Sequence, residues 1–461
     1  MPLRLSPLGA VLVLLPLACT PLDGRPPRDA SADAPASDAA PDVAADAGPV
    51  HDAPPCPRGA TAAVDPRYAL TLASDTPGAP THNAIARAAA VDAKGAILVA
   101  GTCTHCAPSV TGATAAVWRA APALVHDLSF GTMGVAVAPS ARPIQQWNAV
   151  TTDAPGRIYL GGQVPPESIR AAVVARLLPD GSFDPEFGVG GQVRVERSQF
   201  AAAIVVALLH DDDGTVAVVI DQYPWQRWPS RAWALRLGDG GALDVTFGDR
   251  GVREIDDVHG CFDLARDGTD YVFACTSPAD RPALRRLDAA GRVAAWASGA
   301  PAEAADAPAR FAVRTLARDS LGRWVVAGPV TAAFNDAHSS VAAVRFLPDG
   351  SHDRAYGLGG TAVFLGPRQT FGYTFAPASR LGCEDRLLFG GDYTQLAVVG
   401  VLDARGRPLD ALGDFGSLSL PLRGGTVAAA VEAIVPLPGS QDVVVVTSHT
   451  PVAVTLHRLN L

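Results

Sequence analysis

Residues 153–188 read DAPGRIYLGGQVPPESIRAAVVARLLPDGSFDPEFG, and this stretch decides the fold. Asp153 and Gly156 bracket a tight turn, because glycine accepts φ > 0 and aspartate bonds its own turn amides. IYLGG at 158–162 and AAVVARL at 171–177 are short runs of apolar residues with the length and composition of strands. A second turn, PDGS at 179–182, leads into DPEFG at 184–188 and then another strand. The pattern is thus a meander of four strands with two hairpins at one end.

The same pattern recurs along the chain. ILVAG at 97–101, VAVVI at 216–220, YVFAC at 271–275, WVVAG at 324–328, LLFGG at 387–391 and VVVVT at 443–447 repeat the second strand, so with IYLGG there are seven copies. The turn before each contains Gly, with Asp or Pro: Asp92–Gly95, Asp153–Gly156, Asp211–Gly214, Asp267–Gly268, Asp319–Gly322, Gly382–Asp385 and Pro438–Gly439. The second hairpin recurs as ALRLGDGGALDVTFG from Ala234 and AVRFLPDGSHDRAYG from Ala343. Degenerate copies begin at Trp118, Arg285 and Val399, and a seventh begins with HRLNL at 457–461, where the given sequence stops before the turn. Its missing half stands at the other end, where Asp65-Pro66-Arg67-Tyr68 and the run Ala69 to Leu72 match Asp184-Pro185-Glu186-Phe187 and its following strand. A periodicity of about 50–60 residues with split ends predicts an all-β, seven-bladed β-propeller closed by an N-terminal strand.

DxxGxIxxxG followed by RLxPDGSxDxxFGxxG resembles the delta-sixty repeat, a bacterial family of largely uncharacterised propeller-like units. The resemblance covers most of 82–461 and is sharpest at 150–195 and 311–364. It implies a propeller and no defined activity. Blade four departs most: Ala294 stands where the motif has Asp, and no Phe-Gly pair follows, which leaves its outer hairpin open.

The N-terminus reads as an export signal. Arg4 precedes an apolar run from Leu8 to Leu17, too short for the ~20 residues that cross a bilayer. LPLAC at 15–19 resembles a lipobox, with Pro16 where Leu is usual, and so marks Cys19 for acylation after removal of residues 1–18. Thr20, which is not Asp, points by the enterobacterial sorting rule to the outer membrane or cell surface; a periplasmic or secreted protein is the alternative. Residues 20–55 hold seven Asp against two Arg, which is five of the nine net negative charges, and few large apolar side chains. Such a segment cannot offset its ordering entropy and reads as a disordered tether, with 19–55 the lipidated tether and 56–461 the propeller. Lys94 is the only lysine and there is no basic stripe, so nucleic acid is not an expected partner.

Chemistry-bearing motifs are few. HExxH, GxSxG, P-loop and dinucleotide fingerprints do not occur, and neither a metal nor a cofactor is expected. The repeated Asp-x-x-aromatic-Gly, with Asp127, Asp184, Asp244 and Asp353, reads as a carboxylate serving turn amides and an aromatic filling space between blades. Asp211, Asp212 and Asp213 after His210 read as a solvated acidic turn. Strand ends expected near the channel are mostly Gly, Ala and Val, which offers no convergent acid–base pair. Without Cys19 six cysteines remain, an even set suited to an oxidising compartment. Cys261 with Cys275 is a plausible cross-strand bridge, Cys103 with Cys106 a local one, and Cys56 is left with Cys383.

These features point to a binding or scaffold module at the cell envelope with an envelope protein or glycan as partner, the alternative being a propeller-type hydrolase or lyase acting on envelope polysaccharide. The expected ligand surface is loop 221–231, which sets Tyr223, Trp225 and Trp228 among Arg227 and Arg231 in a chain only 6% aromatic.

Overall fold

The computed structural model describes residues 63–71 and 83–460, apart from 105, 107–111, 140, 142, 166–170, 201, 212–213, 222–230, 300–301, 309, 332–338, 365–374, 382, 394–395, 410–416, 421–426, 438–439, 441 and 451–452. All belong to the compact unit Val50–Leu461. They form seven antiparallel sheets, six of four strands and one of three. The innermost strands are Asn83–Val91, Gln146–Thr152, Ala203–Asp211, Gly260–Asp267, Thr315–Arg318, Phe375–Leu381 and Val427–Pro436, in blades one to seven. Each packs on the next and the last packs on the first, so the ring is closed. This is a seven-bladed β-propeller.

Closure follows the expected route. Ala63–Thr71 is the outermost strand of blade seven and pairs antiparallel with Ala453–Asn460. Val64 pairs with Leu459 and Ala69 with His457, so Asp65–Tyr68 is looped out opposite Arg458. That is a shortened form of the arrangement in blade two, where Phe183 bridges Leu177 and Gln192 pairs with Ala175 on either side of Arg176.

The core is seven slabs, one between each pair of neighbouring blades. This explains why the second strands read as unbroken apolar runs. Ile97 and Val99 face blade seven, whereas Leu98 and Ala100 face blade two, so both faces of the strand are buried.

Every innermost strand except that of blade five shows a register irregularity within its ladder, as between Ala86 and Ala88 in blade one. In blade one the glycine ending the second-strand run accommodates it. A Cβ on Gly101 would lie 1.9 Å from the Ile85 carbonyl oxygen, and one on Gly328 of blade five 1.9 Å from that of Ala312.

Blade four resolves the question left by its degenerate repeat. Its sheet has three strands among the described residues, but Val293 still bridges Leu287 and Glu303 bridges Ala283, so an outer edge persists as isolated bridges. Trp296 takes the place of the missing aromatic, under the turn glycine Gly350 of blade five. Two cysteine pairs are bridged as expected, Cys103 with Cys106 and Cys261 with Cys275. Cys19 and Cys56 and the Cys383 side chain lie outside the described residues.

Candidate functional site

The repeated signature forms a latch between blades. Asp127, Asp184, Asp244 and Asp353 each accept through Oδ1 the amide of the residue two ahead, at 2.9–3.0 Å. Through Oδ2 each meets an arginine of its own third strand: Arg119 at 2.8 Å, Arg176 and Arg345 at 2.7 Å, Arg236 at 3.2 Å. The same arginine then reaches into the next blade's outer hairpin, donating to the carbonyl of Pro179, Asp239, Ala289 or Ala404. The glycine after the aromatic adds a backbone bond to that hairpin, as from Gly188 N to Gly240 O at 3.0 Å. The guanidinium lies over the aromatic ring at 4.6 Å on Phe130, 4.9 Å on Phe187 and 4.5 Å on Tyr356. Hydrogen bonds from Ser129 and Thr246 hold the Asp127 and Asp244 carboxyls below the ordinary carboxylate range, so those two carboxyls are charged at neutral pH. The signature is therefore structural, with a carboxylate and an aromatic in the roles expected and an arginine whose role sequence reasoning missed. In blade six Val401 and Leu409 stand in the arginine and aspartate positions, since Leu409 N bonds Val401 O as Asp184 N bonds Arg176 O. The hairpin that such an arginine would grip in blade seven is the one divided between the two ends of the ring.

On the hairpin face a half-open cleft of about 520 Å³ lies between blades two and three, lined by Asp153, Pro155, Arg157, His210, Asp211 and Asp239 among others. His210 is the penultimate residue of the innermost strand of blade three; its ring stacks on Tyr159 of blade two at 4.2 Å and 18°. Its Nδ1 lies 3.0 Å from Thr215 Oγ1, and burial pushes its pKa below the ordinary histidine value, so it is neutral at pH 7. Arg157 is paired with Asp153 and, at 3.0 Å, with Asp239, which also meets Arg176 at 3.0 Å. The cleft thus presents mated charges and a neutral imidazole, which suits hydrogen bonding to a polar ligand. A smaller cleft of about 220 Å³ at the blade one–two boundary is lined by the equivalent hairpins, with Asp92, Lys94, Arg119 and Pro179. Among the described residues no group of three or more His, Cys, Asp or Glu is placed to hold a metal ion.

Of the expected ligand surface, Asp221 and Arg231 flank the loop and pair with each other across the sheet. Asp221 is buried, and its Oδ1 accepts the Ala202 amide at 2.7 Å, which pins the root of the loop. Arg231 is exposed, its Nε 3.6 Å from Glu254. Tyr223, Trp225, Arg227 and Trp228 lie outside the described residues.

The innermost strands differ from the small, apolar lining read from the sequence. One register position, at the bulge, carries Arg87, Asn148, Val206, Phe262 and Glu432 in five of the blades, and in blade five Arg314 stands just before the first paired residue, Thr315. Glu432 is buried 4.0 Å from Arg87, and burial pushes its carboxyl up to about 7 against the pull of Arg87 and Ser448. Beside the position, Asp263 accepts the amides of Leu264 at 2.9 Å and of Leu316 in blade five at 2.8 Å, and burial pushes it up to about 6.

The closed ring and its latches define a β-propeller of repeating blades. Residues 156–187 match a family described as a domain of unknown function (DUF5122) beta-propeller. No curated protein matches the chain. Among solved structures, a puromycin hydrolase mutant complexed with PGG is 15% identical with a TM-score of 0.44, covering 79% of this chain. This chain spans only 50% of that structure. The Nup133 beta-propeller domain of Vanderwaltozyma polyspora is 6% identical with a TM-score of 0.43, covering 85% of this chain and 97% of its own.

Proposed function

We propose that the protein is a cell-envelope lipoprotein, acylated at Cys19 and held by the acidic tether 20–55, whose propeller acts as a non-enzymatic binding or scaffold module. One observation carries the reading: the charged and aromatic residues that recur in every well-kept repeat are engaged between blades, so the repeat builds a frame rather than a reaction centre. Recognition then falls to what differs between blades. Loop 221–231, with its three aromatics between arginines, is the surface proposed for sugars or acidic polymer ends. The polar cleft beside His210 is a second surface on the other end of the ring.

The rival, a hydrolase or lyase acting on envelope polysaccharide, has one observation in its favour, the two carboxyls of raised pKa on innermost strands. Cleavage needs a proton donor and a base on one bond. Asp263 is held by two amides and Glu432 stands against Arg87, on blades four and seven, which argues for structural roles.

The test is binding of the full chain to polysaccharide extracted from the envelope of its source organism, with intact-chain turnover assayed alongside. Trp225→Ala/Trp228→Ala is expected to weaken binding about tenfold or more while the melting temperature stays put. Depolymerisation of the glycan, or a large loss of stability with binding unchanged, overturns the proposal.

A further inference from the structure

The inner hairpins, between first and second strands, repeat one charge pair in two blades and omit it in a third. In blade two Asp153 accepts the Arg157 amide through Oδ1 at 2.7 Å and the Arg157 Nε through Oδ2 at 2.5 Å. Blade five does the same with Asp319 and Arg323, at 2.8 and 2.6 Å. The turn thus fixes the carboxylate by one oxygen and leaves the other to a guanidinium. Blade one keeps the turn: Asp92 Oδ1 accepts the amides of Lys94 at 2.9 Å and Ala96 at 2.8 Å. It lacks the arginine, because Ala96 stands in that place. Among the described residues nothing bonds Asp92 Oδ2. The second carboxylate that Arg157 meets, Asp239 at 3.0 Å, is replaced as well, since Pro179 takes Arg119 on its carbonyl as Asp239 takes Arg176.

The cleft of about 220 Å³ between blades one and two lies at this gap, walled by the inner and outer hairpins of both blades. Seven of its twelve lining residues are Ala or Pro, Pro122, Pro155 and Pro179 among them, so its walls suit an alkyl chain. Its charged lining is Asp92, Lys94, Arg119 and Asp127. Arg119 and Asp127 engage each other at 2.7 Å within the latch. Lys94 is exposed and has no ion-pair partner among the described residues. The cleft therefore leaves open one carboxylate oxygen, where the fold twice seats a guanidinium, and one exposed ammonium.

We propose that this cleft binds an alkylguanidinium, the end group of arginine, which takes the place on Asp92 Oδ2 that Arg157 and Arg323 take on their own hairpins. The contact is a charge-assisted hydrogen bond from a planar fork, and the Ala and Pro walls cover the alkyl stem. The group arrives either as free arginine or on an internal arginine side chain of a protein partner. Lys94 separates the two, because only free arginine brings it a carboxylate. The net charge of −9 draws either form toward the chain. The site lies across hairpin 153–157 from the His210 cleft, and it does not depend on the glycan reading.

The experiment is calorimetric titration of the purified full chain with L-arginine and, separately, with N-acetyl-L-arginine amide, L-citrulline serving as the uncharged isostere. Saturable 1:1 binding of at least one arginine form is expected, with citrulline about tenfold weaker or more. Tighter binding of L-arginine, reduced by Lys94→Met, names the free amino acid; tighter binding of the amide names a side chain. Asp92→Asn, which can keep the turn through its Oδ1, is expected to weaken binding about tenfold or more. Ala96→Arg supplies the guanidinium from the chain itself, as in blades two and five, and is expected to abolish binding without lowering the melting temperature. If either variant fails to give a cooperative melt, the other decides. No saturable binding below about 10 mM, citrulline bound as tightly as arginine, or equal binding by wild type and the folded variant overturns the proposal.

Discussion

Arg176→Met is the sharpest test of the latch. The arginine is 2% exposed and its partner Asp184 5%, at 2.7 Å. The guanidinium also donates to the Asp239 carbonyl of blade three and covers the Phe187 ring at 4.9 Å. Methionine keeps most of the apolar volume but leaves Asp184 a buried carboxylate with one amide bond, from Glu186. Breaking a buried pair from one side costs about 3–5 kcal/mol, and the stacking adds about 0.5–1 kcal/mol. With a urea m-value of about 3 kcal/mol/M, the unfolding midpoint falls by roughly 1–2 M. Arg292→Met is the control, since its pair with Asp288 is in solvent and is worth at most about 1 kcal/mol. Adding Asp184→Leu to Arg176→Met is expected to recover part of the loss, because the stranded charge is removed as well. Midpoints for Arg176→Met and Arg292→Met that agree within the error of the two urea curves refute the latch.

Two further outcomes follow from the ring and its buried acid. Deleting 61–75 removes the closing strand Ala63–Thr71 and is expected to cost several kcal/mol, whereas deleting 25–50 leaves the melting temperature unchanged; equal melting temperatures contradict closure. Glu432 holds its proton more tightly folded, at about 7 against an ordinary 4.5, so its effect on stability is an advantage at low pH that is lost as pH rises from about 4.5 through about 7. Glu432→Gln is therefore expected to be up to about 3 kcal/mol more stable than wild type at pH 8 and equal to it at pH 4. A pH-independent difference between the two urea curves contradicts the burial.

The blades were legible because each second strand is buried on both faces and bounded by Asp and Gly, which leaves apolar runs at regular spacing. Closure was legible because Asp65-Pro66-Arg67-Tyr68 repeats Asp184-Pro185-Glu186-Phe187. The arginine latch was not, because Arg119, Arg176, Arg236 and Arg345 act on carbonyls 60, 63, 53 and 59 residues away. No local spacing shows such a contact; the signal available was that this separation equals the repeat. The outer edge of blade four was obscure because Trp296 replaces the Phe-Gly pair two residues after Ala294 rather than three residues after an aspartate. The polar inner layer was missed for another reason. The bulges depend on small residues in the adjacent strand, such as Gly101, so Arg87, Asn148 and Glu432 look like ordinary strand residues. His210 belongs to the candidate cleft only because Tyr159, on another blade, packs beneath it.

The claim on which the functional account rests is that this propeller works on a lipid tether. Its direct measurement is mass spectrometry of the N-terminal peptide of the protein isolated from membranes of its source organism. The account predicts a mature chain that begins at Cys19 and carries the mass of a diacylglyceryl group, lost together with membrane retention in Cys19→Ser. A mature chain that begins elsewhere, or an unmodified Cys19 in membrane-retained protein, contradicts it.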